Sequence, residues 1–382
     1  MNRILKNIFL LVSVLIQACS TYNSLQHQSQ IGVRLADTLA SEQTVNLFYN
    51  LKKLSESKTI LGHHHSTAYG VGWEKQPGRS DIKDILNSYP GLYGWDFGII
   101  TSPSNYYNDW MKRYVVEAYN RGGVNTFCWH YFNPLTGLSF YDTTITVKEI
   151  LVGGKAHQNY LNDLDRIAEY TRYLTNDRES IPIIFRPFHE FDGSWFWWGK
   201  HFCTKDEFIS LWRFTVDYLK SKGVSSFLYA YSPDRNFCTE KEFLERYPGD
   251  DYVDIVGMDN YFDFTEKGDG FGDLLEKLRI VTDVAIKKNK IAALTETGLE
   301  SIPDSCWWTD QLLRALESEN VKMAYVMLWR NANDKHHYAP YKGHKSEKNF
   351  IEFSKSPLIL FENNLPDLYN HLLEDDYLIK KN

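Results

Sequence analysis

The sequence has little cysteine, five residues in 382, with no Cys-x-x-Cys pair and no Cys/His spacing of the zinc-binding kind. A zinc-ribbon or finger module is therefore excluded. Clusters of basic residues are also missing: the net charge is −7 and Lys and Arg are scattered, so there is no electrostatic footprint for a polyanion. Nucleic acid is not expected as a partner. No internal repeat, low-complexity block or second-domain linker interrupts the chain. The single leading apolar run, 8–16, is too short to span a bilayer as a mature helix.

What is abundant is aromatic: eleven Trp, 25 Tyr and 22 Phe, in a chain that is 43% hydrophobic. That content exceeds what one core needs, and rings left partly exposed suit stacking on the apolar faces of sugars. The length fits one α/β barrel and does not require two domains.

At the N-terminus, Arg3 and Lys6 precede the apolar run, the pattern of a signal peptide over 1–18. Leu15-Ile16-Gln17-Ala18-Cys19 resembles a bacterial lipoprotein signal with Cys19 acylated, although Gln17 stands where a small residue is usual. Residues 19–35, polar and Gln/Ser-rich up to Gln30, read as a tether, and 36–382 as the folded domain. No acidic cluster follows Cys19, so the anchored protein is expected on a membrane, facing the periplasm. Among the other cysteines, Cys128 lies in an apolar run and reads as a buried thiol. Cys203 and Cys238 flank loop-like sequence and are candidates to pair. A self-contained barrel is expected to be monomeric.

Eight short apolar runs rich in β-branched and aromatic residues recur at 59–65, 92–98, 124–131, 183–190, 227–234, 255–261, 291–298 and 324–331. Amphipathic stretches at 81–88, 110–121, 160–174, 205–222 and 272–288 lie between them. This alternation predicts a parallel sheet covered by helices. Most runs close on an ionisable or aromatic residue: His63, Asp96, His130, Glu190, Asp234, Tyr261, Glu296 and Trp329-Arg330. Only a closed barrel gathers all eight strand ends on one face, so the expected fold is a single-domain (β/α)8 TIM barrel. The insertion 133–159 reads as a loop over the mouth.

Cleaving a glycosidic bond with retention requires two carboxyl groups roughly 5 to 5.5 Å apart, one protonated and one ionised. Glu190, ending the fourth run, and Glu296, in the seventh, are the candidates. His63-His64-His65 raises a zinc hypothesis, but no other zinc-like cluster accompanies it and this hydrolysis requires no metal. Neither metal nor cofactor is expected.

His189-Glu190, followed by Asp192-Gly193-Ser194-Trp195-Phe196-Trp197-Trp198-Gly199, resembles the β-mannanases of glycoside hydrolase family 26. Phe188 stands where that family more often has Trp. The resemblance spans nearly the whole mature chain and implies Glu190 as acid/base and Glu296 as nucleophile. It also implies that His130, in Cys128-Trp129-His130, binds the sugar at the cleavage point. His189 would hold the sugar or orient the acid/base, and Trp195 would form an aromatic wall, a task Trp197 or Trp198 could share. Tyr261 would hydrogen-bond the nucleophile, Trp329 form a floor beneath the cleaved sugar, and Arg330 bind the next sugar outward. The implied substrate is β-1,4-mannan, galactomannan or manno-oligosaccharides. Two rivals stand beside it: a same-family enzyme acting on mixed-linkage β-glucan or β-1,3-xylan, and a non-catalytic carbohydrate-binding lipoprotein.

Overall fold

The computed structural model describes residues 24–103, 110–177, 179–265 and 270–374. The expected signal peptide and Cys19 lie outside the described residues. Eight parallel strands run in chain order: β1 (Thr59–His64), β2 (Leu92–Asp96), β3 (Val124–Cys128), β4 (Ile183–Arg186), β5 (Phe227–Tyr231), β6 (Ile255–Asn260), β7 (Ile291–Thr297) and β8 (Tyr325–Leu328). Each pairs with the next, and β8 returns to β1 with Tyr325 opposite Ile60 and Leu328 opposite His63, which closes the barrel. A two-residue strand, β9 (Ile359–Leu360), pairs with the start of β1 at Thr59 and Ile60, before β2 joins that strand at Gly62.

Alternation along the strands sorts the core into two parts. In β5, Phe227, Tyr229 and Tyr231 pack outward with the helices, while Leu228 and Ala230 face the lumen. The outer layer includes α2 (Trp110–Asn120), α3 (His157–Tyr173), α4 (Lys205–Ser221) and α5 (Phe271–Lys288), close to the amphipathic stretches read from sequence. Thr204 and Glu207 form a reciprocal capping box that fixes the start of α4. One further helix, α1 (Glu42–Leu54), has a different task. Its Val45, Leu47, Phe48, Leu51 and Leu54 pack with the lumen residues Ile184, Leu228, Ile255 and Ile291, so α1 plugs the barrel at the strand starts. The C-terminal segment is tied to this plug, because Asn46 and Asn50 donate to the carbonyls of Tyr369 and Leu368 at 2.8 and 3.0 Å.

Three expectations change. The strands end earlier than the apolar runs, so most polar terminal residues sit on the connections that follow; Glu190 lies four residues beyond the last residue of β4. Pro187, with no N–H to give, ends the β4 ladder. The described part of the expected tether is packed rather than loose: residues 24–30 are helical, Gln28 accepts from the Leu35 amide at 3.1 Å, and Leu35 is buried. Finally, Cys128, Cys203, Cys238 and Cys306 are all free thiols. Cys203 is buried under the Arg246 guanidinium at 3.3 Å while Cys238 is exposed, so these two do not pair.

Phe48 is fully buried in the plug, at the opposite end from the strand termini. Phe48→Ala is expected to lower the unfolding free energy by about 3–5 kcal/mol in urea titration, with little change in kcat. A large fall in kcat with unchanged stability would contradict the plug assignment.

Candidate active site

Above the apolar floor the lumen turns polar, and its centre is Arg186. The alternation of β4 points Ile184 and Arg186 inward, and the guanidinium meets Asp259 Oδ2 at 2.5 Å, Ser232 Oγ at 3.1 Å and Glu296 Oε1. Asp259 in turn accepts from Thr295 Oγ1 at 2.7 Å. Thr295 fits only because residue 257 is glycine: a Cβ there would lie 2.5 Å from the threonine methyl. Burial works against the charge of Asp259 and raises its carboxyl, while Arg186 and Thr295 pull it back down.

Glu296 reaches the lumen through a bulge. With Ile291, Ala293 and Thr295 facing inward, strict alternation would turn residue 296 toward the helices. Instead β7 carries one extra residue against both neighbours: Met258 pairs with Leu294 but Asp259 with Glu296, and Val326 pairs with Leu294 but Leu328 with Thr297. The bulge swings Glu296 onto the same face as Asp259. Its second oxygen accepts from the Tyr261 hydroxyl at 2.8 Å. Burial, followed by the charges of Asp259 and Glu190, holds the Tyr261 hydroxyl well above its ordinary range, so it keeps the proton it donates. Two donors on one carboxylate favour its ionised form.

Glu190 stands in the opposite environment. Phe188 and Glu190 adopt left-handed backbone conformations, with φ of 49° and 53°, at a cost of about 1–3 kcal/mol each. The turn is held by the Glu190 amide on Ser232 O at 2.9 Å and by the Trp198 indole on His189 O at 2.8 Å. Burial raises the Glu190 carboxyl well above its ordinary value, and the charges of Asp259 and Asp234 add to this. The Trp195 indole, 2.6 Å from Oε2, and Arg186 oppose it. Asp234 is itself pushed up to about 8, first by burial and then by Asp192.

The remaining predicted residues converge on the same cleft. His130 Nδ1 is 2.9 Å from Asp96 Oδ2, and its ring lies 4.7 Å from His189 and 5.6 Å from Trp329. His189 is buried and held neutral by burial and then by Arg186, with a ring nitrogen within 4.8 Å of oxygens of both Asp259 and Glu296. Trp195, Tyr261, Trp329 and Arg330 are all partly exposed, and the Arg330 guanidinium meets the Tyr69 hydroxyl. Trp197 and Trp198 are fully buried, with Trp197 bonded to Tyr131 O and Trp198 to His189 O, so they support the wall and do not line it. The insertion 133–159 does reach the site: Phe140 packs on His130 at 4.9 Å and Tyr141 stacks on Phe196 at 5.6 Å. His63, His64 and His65 diverge. His64 Nε2 approaches Cys128, His65 packs on Tyr69, and burial holds His63 down at about 4 and His65 at about 3.

Sequence reasoning had not assigned parts to Asp259 or Arg186. Both left a signal: a charged residue at a lumen-facing position of an otherwise apolar strand, in Ile183-Ile184-Phe185-Arg186 and in Gly257-Met258-Asp259. Such a charge has to be paired.

The profile of glycosyl hydrolase family 26 matches residues 36–351. A family 26 β-mannanase structure from Bacteroides ovatus is 42% identical with a TM-score of 0.82, covering 87% of this chain and 98% of that one. A GH26 structure from Muricauda sp. is 40% identical with a TM-score of 0.84, covering 88% and 96%. A mannan endo-1,4-beta-mannosidase of Bifidobacterium adolescentis is 32% identical over 353 residues, covering 85% of this chain but only 35% of that longer protein. The closed barrel, the convergent carboxylates and these matches together make the chain a member of glycosyl hydrolase family 26.

Proposed function

We propose that the protein hydrolyses β-1,4-mannosidic linkages of mannan with retention of configuration, Glu296 acting as nucleophile and Glu190 as general acid/base. The observation that carries this reading is the opposed state of the two carboxyls: Glu296 is bound by Arg186 and Tyr261, whereas burial and neighbouring acids keep the proton on Glu190. In the first step Glu296 attacks the anomeric carbon as Glu190 gives its proton to the departing oxygen. In the second, Glu190, now ionised, takes a proton from water, whose oxygen displaces Glu296. His130 and His189 would hold the cleaved sugar over Trp329, Arg330 the neighbouring sugar, and Trp195 would flank the acid/base. The names of the family relatives support mannan as the polymer.

The polymer is tested by product analysis on linear β-1,4-mannan, mixed-linkage β-glucan and β-1,3-xylan. Short manno-oligosaccharides should appear from mannan alone, with the β-anomer first by proton NMR; an α-anomer formed first would remove Glu296 from the nucleophile's role. Glu190→Ala is expected to lose about 10²–10⁴-fold in rate. Unchanged sugar affinity with no hydrolysis by the parent protein would instead favour a binding protein.

The environment of Glu190 also sets the alkaline limb of the kcat/KM profile, since activity requires its proton. Trp195→Phe removes a bond that favours the ionised form, so the limb should move to higher pH. Asp234→Asn removes a repelling charge and should move it lower. Shifts of the same sign in both variants would contradict this account.

We further propose that the protein is a monomeric lipoprotein held on the periplasmic face of a membrane through Cys19, on the strength of the segment 1–19. Labelled palmitate should enter the parent chain and not Cys19→Ala; equal labelling would reject the anchor.

A further inference from the structure

At the ends of β2 and β3 three different donors meet. Asp96 and Cys128 are register partners across the two strands, and His130 follows two residues on. A carboxylate oxygen of Asp96, Sγ of Cys128 and a ring nitrogen of His130 all lie within 4.8 Å of one another, with Sγ 3.6 Å from Nδ1. In tetrahedral zinc coordination, with Zn–S about 2.3 Å and Zn–N about 2.0–2.1 Å, sulfur and nitrogen ligands sit roughly 3.6 Å apart. The donors are also held in place. Asp96 Oδ1 accepts the amides of Gly98 at 2.7 Å and His130 at 3.0 Å, the kind of outer hydrogen bonding that orients a metal's carboxylate ligand. His64, itself buried, has its Nε2 3.6 Å from the same sulfur. Asp96 and His130 keep 16% and 14% side-chain exposure, which leaves the cluster open to the cleft. A thiolate, an imidazole and a carboxylate suit zinc and other thiophilic divalent cations, not magnesium or calcium.

We propose that Asp96, Cys128 and His130 form a binding site for a zinc-like cation on the flank of the cleft, and that its occupancy blocks hydrolysis. Binding forms the metal–sulfur bond as the thiol proton leaves to water, and replaces the 2.9 Å bond between His130 and Asp96 with two bonds to the metal. With the metal on Nδ1, the His130 ring is held by the cation in place of Asp96 and offers the cleft only an Nε2–H donor. The position of the ring that would hold the cleaved sugar is then set by the cation and not by Asp96. The cation itself takes no part in hydrolysis, and only its inhibitory effect rests on the function proposed above.

Cobalt(II), an optical stand-in for zinc, separates the two claims. Titrated into the full-length protein without substrate, it should produce one equivalent of sulfur-to-cobalt charge-transfer absorption, absent in Cys128→Ser and in Cys128→Ala. Zinc should inhibit mannan hydrolysis by the parent protein, and about tenfold or more zinc should be needed in whichever cysteine variant folds. Absorption that survives both substitutions, or no absorption in the parent, overturns the site. Equal zinc inhibition of parent and variants overturns the inhibitory role. Absence of hydrolysis would count against the mannanase reading alone, since the absorption is measured without substrate.

Discussion

The site is organised around one buried cation. A guanidinium withdrawn from water costs several kcal/mol unless it is paired, and Arg186 is paired twice, to Asp259 on β6 and Glu296 on β7. That contact joins three strands across the lumen and divides the acidic residues into two groups. Carboxylates that reach Arg186 directly have their charge compensated. Glu190, one turn beyond the same strand, does not hydrogen-bond to it and is left to burial and repulsion. The difference between the proposed nucleophile and the proposed acid therefore follows from which carboxylate occupies the guanidinium. Tyr261 and Thr295 complete the arrangement by filling the remaining acceptor positions on Glu296 and Asp259.

Two departures from regular strand geometry then place the reacting groups. The bulge in β7 costs a ladder position and turns Glu296 inward; the left-handed turn after β4 costs backbone strain and lifts Glu190 above the barrel rim. Strain of this kind persists only where the surroundings determine it. Here the buried Trp197 and Trp198, each bonded to a backbone carbonyl, form that support.

Much of this was legible in the sequence. The eight strands and the outer helices α2 to α5 follow from hydrophobic periodicity, because each element buries one face. His130, Glu190, Tyr261, Glu296 and Trp329-Arg330 stood out because each closes an apolar run, and the parts expected of them came from the family resemblance. The plug α1 was not, since a helix that caps a lumen carries the same amphipathic pattern as one on the outer wall. The bulge was missed because alternation alone gives no sign of an added residue. Asp259 was given no part because nothing in the sequence sets Arg186 beside it, and the helix at 24–30 was hidden by a polar composition that packs through Gln28 rather than through an apolar stripe.

The plug has a consequence for how the molecule is displayed. Ser24 bonds to Ala40 just before α1, and the Leu373 amide bonds to Asn50 within it. Both ends of the described chain therefore emerge at the base, one barrel height from the strand termini that carry the cleft. An attachment made where the described chain begins or ends would sit beside the closed base, with the open mouth facing away from it.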